Sequence, residues 1–143
     1  MYVDWIYELQ LSLKLLIAFA LGALIGLERE RSGHEAGIRT FGLISLGSCS
    51  FGLLSLYIDA ADHARIAAQV ASGIGFICAG VIFRENGTTK GLTTASTLWC
   101  TAAVGLAVAF NMYTIGIISS VIILIFLSIR RTKLWCRITN KKT

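Results

Sequence analysis

Nine residues carry most of the chemistry in this sequence: Glu28, Arg29, Arg39, Thr40, Arg84, Lys90, Gly91, Thr93 and Thr94. All stand where long apolar runs end. Guanidinium, ammonium and hydroxyl groups beside a helix N-terminus, whose first amides lack intrahelical partners, suit an anion. Lys90, Arg39 and Arg84 supply the positive charge, and the segment opening at Gly91 supplies the helix N-terminus. Glu28 offers a partner to Arg39 or a ligand to a cation. There is a plainer role: charges at span ends anchor helices, and Thr93 or Thr94 can serve as a helix cap. Position alone leans toward that plainer role.

Other candidates are weaker. Asp59, Asp62 and His63 could meet a divalent cation, but magnesium keeps most of its waters, so a solvated acidic turn is expected. Gly73, Gly75 and Gly80 do not form a dinucleotide fingerprint, because Cys78 stands where a glycine is required and no strand precedes them. Cys49, Cys78, Cys100 and Cys136 have no metal-ligand spacing and read as small buried hydrophobes. No nucleophile–base pair or nucleotide loop is present. The reading is a protein that is not an enzyme, with no metal and no cofactor.

The elements that must position these residues are membrane helices. The 143-residue chain is 55% hydrophobic and 15% charged, with no proline and a mean hydropathy of +0.72. Soluble domains carry about 25% charge. Residues 66–83 and 92–129 contain no charged side chain. A crossing helix needs roughly 20 apolar residues, which predicts five spans at about 11–27, 38–57, 66–83, 92–110 and 113–129. The 92–129 run is too long for one crossing. Asn111–Thr114 marks a tight turn within it, with a re-entrant segment as the alternative. The acidic N-terminus, with Asp4 and Glu8, does not resemble a cleavable signal.

Basic residues orient the bundle. The tail at 130–143 holds Arg130, Arg131, Lys133, Arg137, Lys141 and Lys142 and is placed in the cytoplasm. Five spans then put 11 basic residues inside and 2, Lys14 and Arg65, outside. The predicted fold is an all-α membrane protein: a compact bundle of five transmembrane helices with its N-terminus outside and its C-terminus cytoplasmic. Lys14 is expected to snorkel at the outer end of span one. The tail is expected to be solvated, attracted to anionic membrane lipid and too short for nucleic acid. No ionisable residue lies at mid-membrane, unlike most ion-coupled pumps.

Helices associate in lipid through small residues that permit close approach. Gly22 and Gly26 on span one, Ser48 and Gly52 on span two, and Gly73, Gly75 and Gly80 on span three are assigned to packing. Span five is bulky throughout. Spans one to four are therefore expected to form a tight core, with span five peripheral.

Five segments together resemble the MgtC/SapB family of bacterial inner-membrane proteins: GALIGLERE at 22–30, GIRT at 37–40, RIAAQVASGIGF at 65–76, AGVIF at 79–83 and GLTTASTLW at 91–99. The likeness covers nearly the whole chain. It departs at Cys78, in place of a glycine-rich patch, at Phe41, where histidine is common, and at Ser96, where alanine is common. The resemblance implies a five-span domain in the short form without a C-terminal soluble domain, located in the cytoplasmic (inner) membrane of a bacterium. It implies a role in growth under low magnesium and, in pathogens, in virulence. It further implies a regulator that binds other membrane proteins, including the ATP synthase. The small size of the bundle, rather than the resemblance, leads to the expectation of a homodimer. It puts weight on Glu28, Arg29, Arg39, Thr40, Gly91, Thr93 and Thr94. The competing expectation is a transporter or channel subunit with its site at the cytoplasmic ends of spans one to four.

Overall fold

The computed structural model describes residues 5–58, 63–85 and 87–129. Its elements, in chain order, are α1 (Trp5–Arg31), α2 (Ile38–Ser55), α3 (His63–Val81), β1 (Phe83–Glu85), β2 (Thr88–Lys90), α4 (Leu92–Ala109) and α5 (Tyr113–Ile129). Four of the helices, α1 to α4, are long and apolar enough to cross a membrane, and α5 is a shorter apolar helix of 17 residues. The acidic loop at 59–62 and the basic tail at 130–143 lie outside the described residues.

Helix α1 has 27 residues, about 40 Å at 1.5 Å per residue. It overruns the apolar core of a bilayer, which is about 30 Å thick, and carries Glu28 to Arg31 into the polar layer as part of the helix. The segment after α3 is a two-stranded antiparallel hairpin pairing Phe83 with Lys90 and Arg84 with Thr89. This small sheet departs from the purely helical expectation. The reason is local: between two helix ends, pairing satisfies backbone groups that a helix no longer covers. Between α4 and α5 the chain turns at Asn111, which has φ 62°, while Met112 N–H donates to Ala107 O at 2.8 Å. A left-handed residue after a helix is a common way to satisfy its last carbonyls.

The core is built by α1, α2 and α4. A Cβ placed on Gly22 would stand 2.5 Å from Phe41 O and 2.7 Å from Ser45 Cβ, and one on Gly26 would stand 2.6 Å from Gly37 O. Only glycine lets α1 and α2 approach this closely. Farther along the same stripe of α2, a Cβ on Gly52 would meet Ala109 Cβ at 2.6 Å, and Gly105 of α4 lies against Ser45 O and Ser48 Cβ. Phe41, Ile25, Leu98, Val104 and Val108 fill the space between these seams.

Two expectations need correction. Helix α3 is not part of the tight core: 6% of its 18-residue span is buried, against 56% for α4. Among the described residues, nothing lies within 4 Å of a Cβ placed on Gly73, Gly75 or Gly80, so these glycines are not used for close packing there. A groove of about 730 Å³, walled by Leu43, Phe51, Val70 and Ile74, separates α3 from α2. Helix α3 reaches the buried cluster of Ile25, Phe41, Ala95 and Leu98 through buried Cys78 and partly buried Ile74 and Val81, with Cys78 Sγ 3.1 Å from Ala95 O. Peripheral position therefore belongs to α3 as well as to α5, where Gly116 and Ser120 are the buried residues.

The second correction is Lys14. It does not snorkel. It is 8% exposed, and its Nζ donates to Ala109 O at 3.2 Å. The last carbonyls of α4 lack intrahelical donors and carry the negative end of the helix dipole. A buried ammonium there satisfies an acceptor and gains a favourable field, which outweighs its access to water.

Candidate functional site

The nine candidate residues resolve into three groups. The first is a buried crosslink at the charged end of the bundle. Arg29, in the last turn of α1, is 4% exposed, and its Nη2 donates to Thr94 Oγ1 at 3.0 Å. Thr94, in the first turn of α4, is 9% exposed. The cation at the C-terminus of α1 faces the negative end of that helix dipole, and hydrogen bonds from charged donors are among the stronger ones. Neither Thr93 nor Thr94 caps α4. The N-cap is Gly91, with φ 85° and no side-chain cap bond, and Ala95 N–H donates to its carbonyl at 2.9 Å. A Cβ on Gly91 would run into Val81 O, so glycine here also seats the start of α4 on the end of α3.

The second group lies around the α1–α2 loop. Glu28 does not pair with Arg39. Its Oε1 accepts from Ser32 Oγ at 2.8 Å, and among the described residues its buried Oε2 has no hydrogen-bond partner. Glu30, which was not among the nine, is the residue that organises the loop. Its Oε2 accepts from Ile38 N–H at 3.1 Å, satisfying a first-turn amide of α2 where Gly37 supplies no side chain. Exposed Arg39 and Thr40 line a pocket of about 340 Å³ with Glu30 and Glu35. The third group is the hairpin, where Lys90 pairs with Glu85 in the open, both about half exposed, while Arg84 is exposed on β1.

Sequence spacing held a further signal: Ser96, Thr97 and Cys100, which were not among the nine, stand at i+3, i+4 and i+7 from Thr93, which was, on one face of a helix. In the structure this face, with Arg29, lines a cleft of about 450 Å³ between α4 and α5. Glu30 was legible in principle as well, since a carboxylate eight residues before a helix start can reach back to its amides across a short loop.

Apolar helices tied through small residues, with charge confined to one end, define a small multi-helix membrane protein. The chain belongs to the MgtC family, whose pattern matches residues 15–133. It is 45% identical to protein MgtC of Salmonella typhimurium over 112 residues, 78% of this chain and 48% of that protein. It is 43% identical to YhiD of Escherichia coli, whose name assigns it provisionally to magnesium transport, over 136 residues, 89% of this chain and 62% of that protein. An uncharacterized protein of Synechocystis is 40% identical over 114 residues, 79% of this chain and 49% of that protein. The chain spans about half to two thirds of the length of these relatives. No solved structure matches.

Proposed function

We propose that this protein is a non-catalytic regulator in the bacterial cytoplasmic membrane, linked to adaptation to magnesium limitation, that acts by docking against other membrane proteins. The magnesium link rests on the family and on the name YhiD carries. The observation that carries the docking reading is the exposure of α3 and its small residues. Gly73, Gly75 and Gly80 have open space around them, and Phe76 beside them is 84% exposed. Small residues on a lipid-facing helix favour close approach by another helix. A second copy of the chain or a subunit of a larger assembly such as the ATP synthase would fit there.

The competing reading is a small transporter of magnesium or another solute. It would require the charged residues of α1 to α4 to line one path. They are instead divided among a buried crosslink, a loop pocket and an exposed hairpin, which supports the regulatory reading. The test places a photo-crosslinking amino acid at Phe76, with Phe126 on α5, 71% exposed, as the control. The proposal expects discrete protein adducts from position 76 in native membranes and only lipid adducts from 126. Lipid adducts alone at both positions, or magnesium flux through reconstituted protein, would overturn it.

A further inference from the structure

Helix α3 is held from one side. Ile74, Cys78 and Val81 pack with Ala95 and Leu98 of α4, and Cys78 Sγ donates to Ala95 O at 3.1 Å. These three stand at i, i+4 and i+7, one line along the helix. Before Ile74, no described side chain of α3 is buried. Nor does any α3 residue belong to the second buried cluster, of Ala18, Cys49, Leu53, Val108 and Ala109. Toward α2 the helix faces the groove of about 730 Å³ instead.

The walls of that groove are apolar along most of their length, with Leu54 on one side and Val70 on the other. A packed interior does not keep a void of this size. In a bilayer it has two remedies: acyl chains fill it, or the helix moves and closes it. Lipid tails are as apolar as these walls, so no hydrophobic force selects between the two. The balance then depends on how closely the two backbones can approach.

Glycines stand where that approach would occur. The lining residues end at Leu43 on α2 and at Ile77 on α3. Gly47 and Gly73 also line the groove, each four residues from that end, about 6 Å along its helix. The two glycines therefore lie at one level on facing walls. Nothing among the described residues lies within 4 Å of a Cβ placed on either. Gly22 and Gly26 show what such positions permit, because there α1 and α2 meet with no room for a Cβ. The α2–α3 pair has the same provision and does not use it.

We propose that α3 is a swinging panel: it turns about its seam with α4 and closes on α2, bringing Gly47 against Gly73. Small rotations and slides of packed helices are an established form of switching. The closure needs no partner protein, so it stands or falls separately from the docking reading.

Oxidative crosslinking of the full chain in native membranes tests it. A disulfide needs Cβ atoms about 3.8 Å apart, closer than anything stands to either position in the open groove. Gly47→Cys combined with Gly73→Cys is expected to form a 47–73 disulfide within single chains, assigned by peptide mapping. Gly47→Cys combined with Gly80→Cys is the control. Gly80 is equally free of close neighbours but does not line the groove, and no 47–80 bond is expected. All three positions have open space for a Cβ, so both variants are expected to fold as the parent chain does. Absence of the 47–73 bond while both thiols react with a maleimide would overturn the proposal, as would an equal yield at 47–80. A 47–73 bond formed between two chains would overturn it too, by placing a second copy in the groove.

Discussion

Gly22 and Gly26 of α1 and Gly73 and Gly75 of α3 are the same residue in the same kind of apolar helix, with opposite surroundings. A Cβ on either glycine of α1 would collide with α2, whereas one on either glycine of α3 would meet nothing within 4 Å. The first pair is consumed by the fold. The second is left without a close neighbour among the described residues. A small-residue motif in a membrane helix therefore marks a capacity for close approach, and the partner that uses it need not be in the same chain.

The same substitution should have opposite signs in the two regions. Gly22→Ala is expected to cost the most, about 1–3 kcal/mol from overpacking, because the colliding atoms include the Phe41 backbone carbonyl, which cannot swing aside. Gly75→Ala should leave stability unchanged or raise it by up to about 1 kcal/mol, the propensity difference between glycine and alanine. Unfolding of the two variants in the same detergent checks this, and a comparable loss in both would break the comparison.

The next effect sharpens where the core ends. Thr94→Val removes the acceptor for Arg29, and leaving a buried donor unsatisfied costs about 1–3 kcal/mol. Faster hydrogen exchange in the last turn of α1 and the first turn of α4 should accompany the loss; an unchanged exchange pattern would show that this end is not tied together by that bond. Lys14→Met keeps length and volume while freeing Ala109 O. A loss of about 1–2 kcal/mol is expected from a single charge-assisted bond, read as a lower unfolding midpoint. The smallest effect belongs to the exposed pair. Lys90→Ala should change stability by no more than about 1 kcal/mol, since open ion pairs contribute little. A larger drop in the unfolding midpoint would mean the hairpin is part of the core.

Helix positions were legible because apolar length and charge-free runs answer to one solvent, the bilayer. Asn111 punctuates the uncharged stretch at 92–129, and Glu28 to Arg31 sit where α1 leaves the apolar layer. The hairpin was not legible, because three-residue strands carry almost no periodic signal. Lys14 was misread for a related reason. A lysine three turns into a helix looks exposed until a neighbouring helix end, here that of α4, is placed beside it. Of the site, the residue types and their shared end of the bundle could be read, but not the grouping. Arg29 and Thr94 are 65 residues apart, and nothing local joins them.

The sequence by itself determined that this chain forms five apolar helices, roughly where each lies, and that most of its charges collect at helix ends. Those properties depend on composition along one dimension. Only the tertiary structure decided which glycines meet a neighbour, which cation is buried, and that α3 stands apart from the core. Those properties depend on how each helix is rotated about its own axis and which helix it crosses. A rotation of about 100° per residue moves a side chain from a seam to the lipid face without changing a single letter of the hydropathy pattern.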